Sequence, residues 1–383
     1  MTKEVYMDNS ATTRPYDQVV RVVAEAMTEY YANPSSLHRL GKKAEDRIEE
    51  ARKTIAQSIG AKTDEIYFTS GGTEGDNIGI FGSVIANRRR GNKVITTSIE
   101  HPAVSECFKQ LEKEGFNVVY IPVDEKGVAD LNALEKELDE NTILFSGMLV
   151  NNEVGSILPV DKVRELIDKK APGCVFMADG VQAYGKINID VKRQGIDILS
   201  VASHKIHGPN GVGAIYVSKD IKIKPTVFGG GQELGIRSGT ENVAGILGFE
   251  EAVKKTFADF DIVKEKMILL KGKLIEGISK IEGAVVNSPE NSVENILNVS
   301  FVGVKSEVLL HVLESKGIYV SSGSACSSHK KTASHVLTSM GLDGKRSDSA
   351  IRISLSAFND EEDIEYVVSV LQKEVPILKK IMR

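Results

Sequence analysis

Glu65-Ile66-Tyr67-Phe68-Thr69-Ser70-Gly71-Gly72-Thr73-Glu74-Gly75 runs from a β-rich pentapeptide through paired glycines into a helix-like stretch that continues to about Arg88. Aromatic and β-branched residues favour the strand, and the glycines permit a turn that other residues resist. Working outward, the same alternation repeats. Lys93–Thr97 reads as a strand followed by a helix through Leu111, and Val118–Ile121 as a strand followed by a helix over Leu131–Leu138. Ile143–Ser146 follows, then a helix near Val163–Ile167, and three further strands at Val175–Met177, Ile196–Ser200 and Gly213–Val217. Strand–helix alternation of this kind predicts an α/β fold with a mostly parallel sheet covered on both faces.

Past Gly245 the texture changes. Ile262, Met267, Leu270, Leu274 and Ile278 recur at helical spacing, so one long helix is expected over about 243–281. A strand at Ile296–Phe301, a helix at Glu307–Ser315, a strand at Ile351–Leu355 and a closing helix at Glu361–Lys380 complete a smaller α+β unit. The expected division is a large domain over 15–260 and a small domain made of 1–14 plus 261–383. The Ser/Gly/Lys-rich stretch Gly323–Thr332, around Cys326, is expected to be a mobile loop.

Bulk properties narrow the function classes. Lys plus Arg number 48 against 53 Asp plus Glu, and the net charge of -5 excludes a strongly basic nucleic-acid binder. The run Arg88-Arg89-Arg90 is expected to be a solvated helix end. Three cysteines, Cys107, Cys174 and Cys326, without a CxxC pair, fit neither a disulfide framework nor a closed zinc site, so no metal is expected. Met1–Asn9 lacks the apolar core of a leader, and no window is apolar enough to span a bilayer. A soluble, cytoplasmic protein is the expectation.

Three stretches carry chemistry. Ser70–Gly75 opens a helix with free amides and the Thr73 hydroxyl, an arrangement that serves an anion or merely a helix cap. It lacks the lysine of a GxxxxGK[ST] loop and is not GxGxxG. Asp179 ends a strand, where open α/β sheets place ligands, although capping is the commoner use of such an aspartate. Lys205, in Ser203-His204-Lys205, also follows an apolar strand, and a desolvated lysine is the nucleophile of Schiff-base chemistry. Each alone reads as structural. An anion cradle, a carboxylate and a lysine at the same edge of one sheet match the needs of pyridoxal 5'-phosphate (PLP).

The residues also carry a resemblance. Tyr6–Thr13, Asn33-Pro34-Ser35-Ser36, Thr69–Glu74, Glu100-His101, Asn151–Gly155, Asp179–Gln182, His204-Lys205, Gly229–Glu233, Arg237–Thr240, Ser321–Cys326 and Ile351–Ser354 occur in order nearly end to end. In these the chain resembles NifS/IscS-type cysteine desulfurases of the aminotransferase class V family, PLP fold type I, with a seven-stranded large-domain sheet. The resemblance implies that Lys205 binds PLP covalently and then serves as base at the substrate Cα, with Asp179 pairing the pyridine nitrogen. His101 would stack on the ring and shuttle protons, although a histidine capping the helix from Pro102 accounts for it without the resemblance. Gln182 and Asn152 would bond the phenolic oxygen, and Gly72, Thr73, Ser203 and His204 the phosphate. Thr240 would complete the phosphate site of a partner subunit, implying a homodimer. Arg352 would clamp the substrate carboxylate, helped by Asn33 and Asn152; without the resemblance, an acid partner or solvent accounts for it. Cys326 would take sulfur from L-cysteine as a persulfide, release L-alanine, and pass the sulfur to an acceptor such as an iron–sulfur scaffold or a tRNA-thiolation protein.

The family usually carries Ser-Gly/Ala-His-Lys, whereas Ala202-Ser203-His204-Lys205 shifts the hydroxyl by one position. The 25 residues between Cys326 and Arg352 fit the long-loop group, and the end at Arg383 leaves the acceptor open. Two other enzyme readings, a selenocysteine lyase or a class V aminotransferase, and a non-catalytic persulfide carrier remain as alternatives. Cys107 and Cys174 are expected to be structural.

Overall fold

The computed structural model describes residues 3–322 and 334–382. Seven strands form the large sheet in the order Ile66–Thr69, Gly213–Val217, Ile198–Ala202, Val175–Asp179, Thr142–Met148, Lys93–Thr97, Asn117–Ile121. Gly213–Val217 runs antiparallel to both neighbours; the other pairings are parallel. The three central strands are buried at every position, as a sheet covered on both faces requires. Alternate side chains feed opposite cores: Phe145, Phe176 and Leu199 pack with Ile55 and Phe249, while Leu144, Met177 and Ile198 pack with Ile78 and Phe108.

A second sheet, antiparallel, has the order Ser321–Ser322, Ala350–Ser354, Ile296–Phe301, Ala284–Val286. Its apolar residues Val299, Ile351 and Ile353 share a core with Met267, Leu274 and Leu371 from two helices. The N-terminal strand Val5–Tyr6 pairs with Ile318–Tyr319, and Val5 and Met7 belong to this second core. The chain therefore begins in the smaller unit and crosses to the larger one over residues 8–16.

One expectation changes. The long helix is two, Val243–Ala258 and Phe260–Ser279, broken at Asp259. The first packs in the large core through Phe249 and Val253, the second in the small core through Met267 and Leu270. The break turns the chain from one core to the other. Two helices over 16–61, Asp17–Glu29 and Arg39–Ser58, were not anticipated from the sequence. The second buries Ala44, Ile48, Ala51 and Ile55, a helical stripe built half from alanine and so weak in hydrophobic contrast.

Candidate functional site

The C-terminal ends of the parallel strands lie along one edge of the large sheet, and the sequence-chosen residues collect there. Gly72 and Thr73 follow Thr69, His101 follows Thr97, Asn152 follows Met148, Asp179 ends its own strand, and Ser203–Lys205 follow Ala202. This is the edge at which such sheets bind ligands.

The helix Gly72–Asn87 opens here. Gly71, at φ 152°, stands just before it in a conformation that side chains resist. A Cβ on Gly72 would lie 2.4 Å from Val181 Cγ2, so glycine lets the helix start press against the turn after Asp179. The first-turn amides point out of the helix end, beside the exposed Thr73.

Asp179 is buried, and its Oδ1 accepts from the Val181 amide at 2.9 Å. Burial pushes its carboxyl up to about 6, against the opposing pull of the Lys205 charge. Two more carboxyls are buried nearby. Asp76 accepts from Ser200 Oγ, and burial together with the Asp179 charge holds it well above the usual range. Glu100 takes Thr97 Oγ1 at 2.5 Å and the Met148 amide at 3.1 Å on one oxygen, and burial pushes it to about 8.

Lys205 Nζ donates to the carbonyls of Ser10 and Ala11 at 2.5 and 2.7 Å. Gln182 Nε2 donates to the same Ser10 carbonyl at 2.8 Å. Thr13 Oγ1 donates to the His204 carbonyl at 2.8 Å, and Thr12 Oγ1 meets His204 Nδ1 at 3.2 Å. Residues 10–13 thus lace the lysine turn in place. Ser203 is fully buried; its amide donates to Val212 O at 3.2 Å, and its hydroxyl has no partner.

His101 caps the helix Pro102–Lys113, its Nδ1 accepting the Ala103 amide at 3.2 Å. Burial first, then the positive charge of Lys205, lowers its pKa to about 4, so the ring is neutral at neutral pH. With Nδ1 accepting, the ring proton sits on Nε2. His335 closes over the same turn, its ring meeting Glu100 O at 3.0 Å.

Arg352, from the second sheet, is buried and reaches this edge. One arm donates to Asn152 O at 2.9 Å and another pairs with Asp8 Oδ1 at 2.8 Å, while Nε is buried without a partner. The acid partner of the simpler reading is therefore present, and the fork still keeps an unused donor.

Not every expected residue joins this group. Asn33 is exposed in a turn, bonded to the Ser35 amide at 2.9 Å, and no hydrogen bond ties it to Lys205 or Arg352. Thr240 is exposed on a loop pinned from below, Arg237 pairing with Glu74 at 3.2 Å and Glu233 with Arg52 at 2.6 Å. Cys326, and the loop expected to be mobile, lie outside the described residues. Cys107 and Cys174 are buried, and burial pushes both thiols up to about 12. Sequence reasoning missed Asp8, Glu153 and Lys186. Only the lysine left a signal, as a cation four residues past Gln182 in a mostly apolar turn.

Comparison with known proteins bears on this arrangement. Residues 5–367 match the aminotransferase class-V family. A cysteine desulfurase IscS of Clostridium botulinum is 43% identical over 97% of this chain and 94% of its own length. The cysteine desulfurase IscS of Methanosarcina thermophila is 43% identical over 98% and 93%. Among solved structures, a NifS-like protein superposes with a TM-score of 0.93 at 39% identity, covering 98% of this chain and all of that one. An apo cysteine desulfurase from Thermococcus onnurineus gives a TM-score of 0.88 at 25% identity, covering 98% of this chain and 95% of its own.

Proposed function

The chain belongs to the aminotransferase class-V family, and from that premise we propose that it is a PLP-dependent cysteine desulfurase, converting L-cysteine to L-alanine while Cys326 keeps the sulfur. The observation that carries this reading is the convergence of Lys205, Asp179, His101 and Arg352 on one sheet edge from four separate chain segments.

The residues fit the cofactor. The open helix end at Gly72 and Thr73 suits a phosphate, a buried carboxylate at Asp179 suits a ring N–H, and Gln182 keeps one amide proton unspent beside Lys205. When bound, PLP supplies an electron sink for bond-breaking at the substrate's Cα and Cβ. Lys205 would hold the cofactor and then move the Cα proton, its ammonium oriented by the Ser10 and Ala11 carbonyls. Asp179 keeps the ring nitrogen protonated. Neutral His101 would offer Nε2–H for proton exchange beside the cofactor. Arg352 would present its remaining donors to the substrate carboxylate, with Asn152 and Asn33 shaping that end. His204 and Ser203 brace the phosphate side, Ser203 through the turn it anchors.

The resemblance makes Cys326 the sulfur acceptor, and the other two cysteines support that reading. Cys107 and Cys174 are buried, and burial keeps both thiols protonated at neutral pH, so neither is suited to act as the nucleophile. The sum balances: the Cβ–S bond of cysteine breaks, an S–S bond forms on Cys326, and the three-carbon remainder gains protons to become alanine. The active unit is a homodimer in which Thr240, exposed on its own chain, completes the partner's phosphate site. A cytoplasmic acceptor protein takes the sulfur onward. Among the described residues no helix is long and apolar enough to cross a membrane.

Mass spectrometry after incubation with L-cysteine tests the reading. One added sulfur on the Cys326 peptide, with stoichiometric alanine, is expected. Sulfur on Cys107 or Cys174, or alanine release surviving Cys326→Ala, overturns it.

A further inference from the structure

Lys186 has no part in the chemistry above, yet it sits beside it. The turn 180–187 folds back on itself through Tyr184 N to Gly180 O (2.8 Å) and Lys186 N to Ala183 O (3.0 Å). This brings the Lys186 ammonium to 3.0 Å from Gln182 Oε1. The charges that act on it are those of Lys205 and Arg352, both positive. A half-buried ammonium resting on an amide oxygen, with no carboxylate among the described residues to compensate it, is a costly arrangement for packing alone.

The arrangement settles which way the Gln182 amide faces. An ammonium can only donate, so the end turned to Lys186 is Oε1; the Ser10 carbonyl can only accept, so the end turned to it, at 2.8 Å, is Nε2. Ser10 O also takes Lys205 Nζ at 2.5 Å. A side-chain amide offers two protons, and Ser10 uses one. We propose that Lys186 is a positioning residue: while charged it occupies Gln182 Oε1 and, with the Ser10 carbonyl, holds Gln182 as a hydrogen-bond donor toward the phenolic oxygen of the cofactor bound at Lys205. The proposal rests on the PLP reading above.

The charged and titratable surroundings are consistent with this. Burial, then the charges of Lys205 and Arg352, lowers the Lys186 ammonium to about 7, and Lys186 in turn disfavours protonation of His204 and His207. The cavity against it is lined also by Tyr16, Lys264 and Glu294, the last two paired with each other at 3.5 Å. Without Lys186, only the Ser10 carbonyl opposes a turn of the Gln182 oxygen toward the phenolic oxygen, which repels it.

A donor at the phenolic oxygen favours its ionised form and so lowers the pH at which the cofactor-bound nitrogen of Lys205 gives up its proton. The test is the pH midpoint of the visible absorbance of the PLP-loaded protein, measured without substrate. Lys186→Met is expected to raise that midpoint by about one pH unit. Gln182→Leu should raise it by a similar amount, and the double variant by no more than either. The same cycle with Lys186→Gln, which fills the space but lets either amide end face Gln182, should give the same pattern and serves if Lys186→Met does not fold. Shifts that add in the double variant would mean that Lys186 acts through its charge alone, and an unshifted Lys186→Met would mean that it does not act; either overturns the proposal. A wild-type protein that shows no visible band with PLP instead removes the cofactor reading beneath it.

Discussion

Lys205 and Arg352 come from different sheets, yet the same short N-terminal segment holds both, and holds them in opposite ways. Ser10 and Ala11 offer Lys205 two carbonyl oxygens, while Asp8 offers Arg352 a carboxylate. Carbonyls orient an ammonium without adding a charge that would bind its proton tightly. A carboxylate beside a buried guanidinium compensates a charge that is never given up. On the proposed reading, the segment thus separates a cation that is to lose its proton from one that is to keep it. It also knits the sheets together, with Ser354 N donating to Met7 O at 2.7 Å and Asn9 Nδ2 to Ser354 O at 2.8 Å.

Removing the proton-losing cation should have the largest effect. Lys205→Ala is expected to cut alanine formation at least a thousandfold, the scale of combined covalent and general-base catalysis, and to abolish borohydride fixation of the cofactor. A variant retaining a tenth of the activity would break the contrast, because Lys205 would then be only another anchored cation. Arg352→Lys keeps the charge but not the fork. It should lower kcat/KM for cysteine by roughly 10–100-fold, mostly through KM, since a point charge already engaged by Asp8 cannot also grip a carboxylate. An unchanged KM would place the substrate carboxylate elsewhere.

What the sequence reveals about this contrast is uneven, for a physical reason. Lys205, Asp179 and Arg352 are legible because each interrupts an apolar strand pattern, or ends one, with a charge. Asp8 is not, because its meaning lies in a partner 344 positions away. The large sheet is legible because strand and helix alternate with different periods. The break at Asp259 is not, because apolar residues keep helical spacing across it while the two halves face different cores. His101 is ambiguous in sequence and remains double in structure, a helix cap that also lies in the site.

The second-sheet side of the contrast carries its own pH signature. Ser334 Oγ donates to Glu153 Oε2 at 2.5 Å, next to the Asn152 carbonyl that holds Arg352. Burial pushes Glu153 up to about 7, so the folded state keeps a proton that the unfolded chain has lost above about 4.5. The stabilisation this represents is complete at low pH and disappears as pH rises through 7. Glu153→Gln cannot lose that proton. In urea unfolding it should therefore lose less stability than the wild type between pH 5 and 8, by on the order of 2 kcal/mol. The opposite trend from His101, whose pKa is lowered to about 4, is common to both proteins and cancels in the difference. Equal losses would show that the Ser334 bond, rather than burial, sets the ionisation of Glu153.

The smallest change addresses the tether itself. Asp8→Asn keeps an oxygen in reach of Arg352 while removing the charge, so it exchanges an ion pair for a hydrogen bond from the guanidinium to a neutral oxygen. The guanidinium stays bonded to Asn152 O, and the expected cost is about 1 kcal/mol of stability, read from urea midpoints. With its compensating carboxylate gone, Arg352 offers its whole charge to the substrate, and KM for cysteine should fall. A rise in KM with stability intact would reverse the assignment: Asp8 would then be aiming the guanidinium at the substrate rather than compensating it, and the two cations would be held for the same purpose after all.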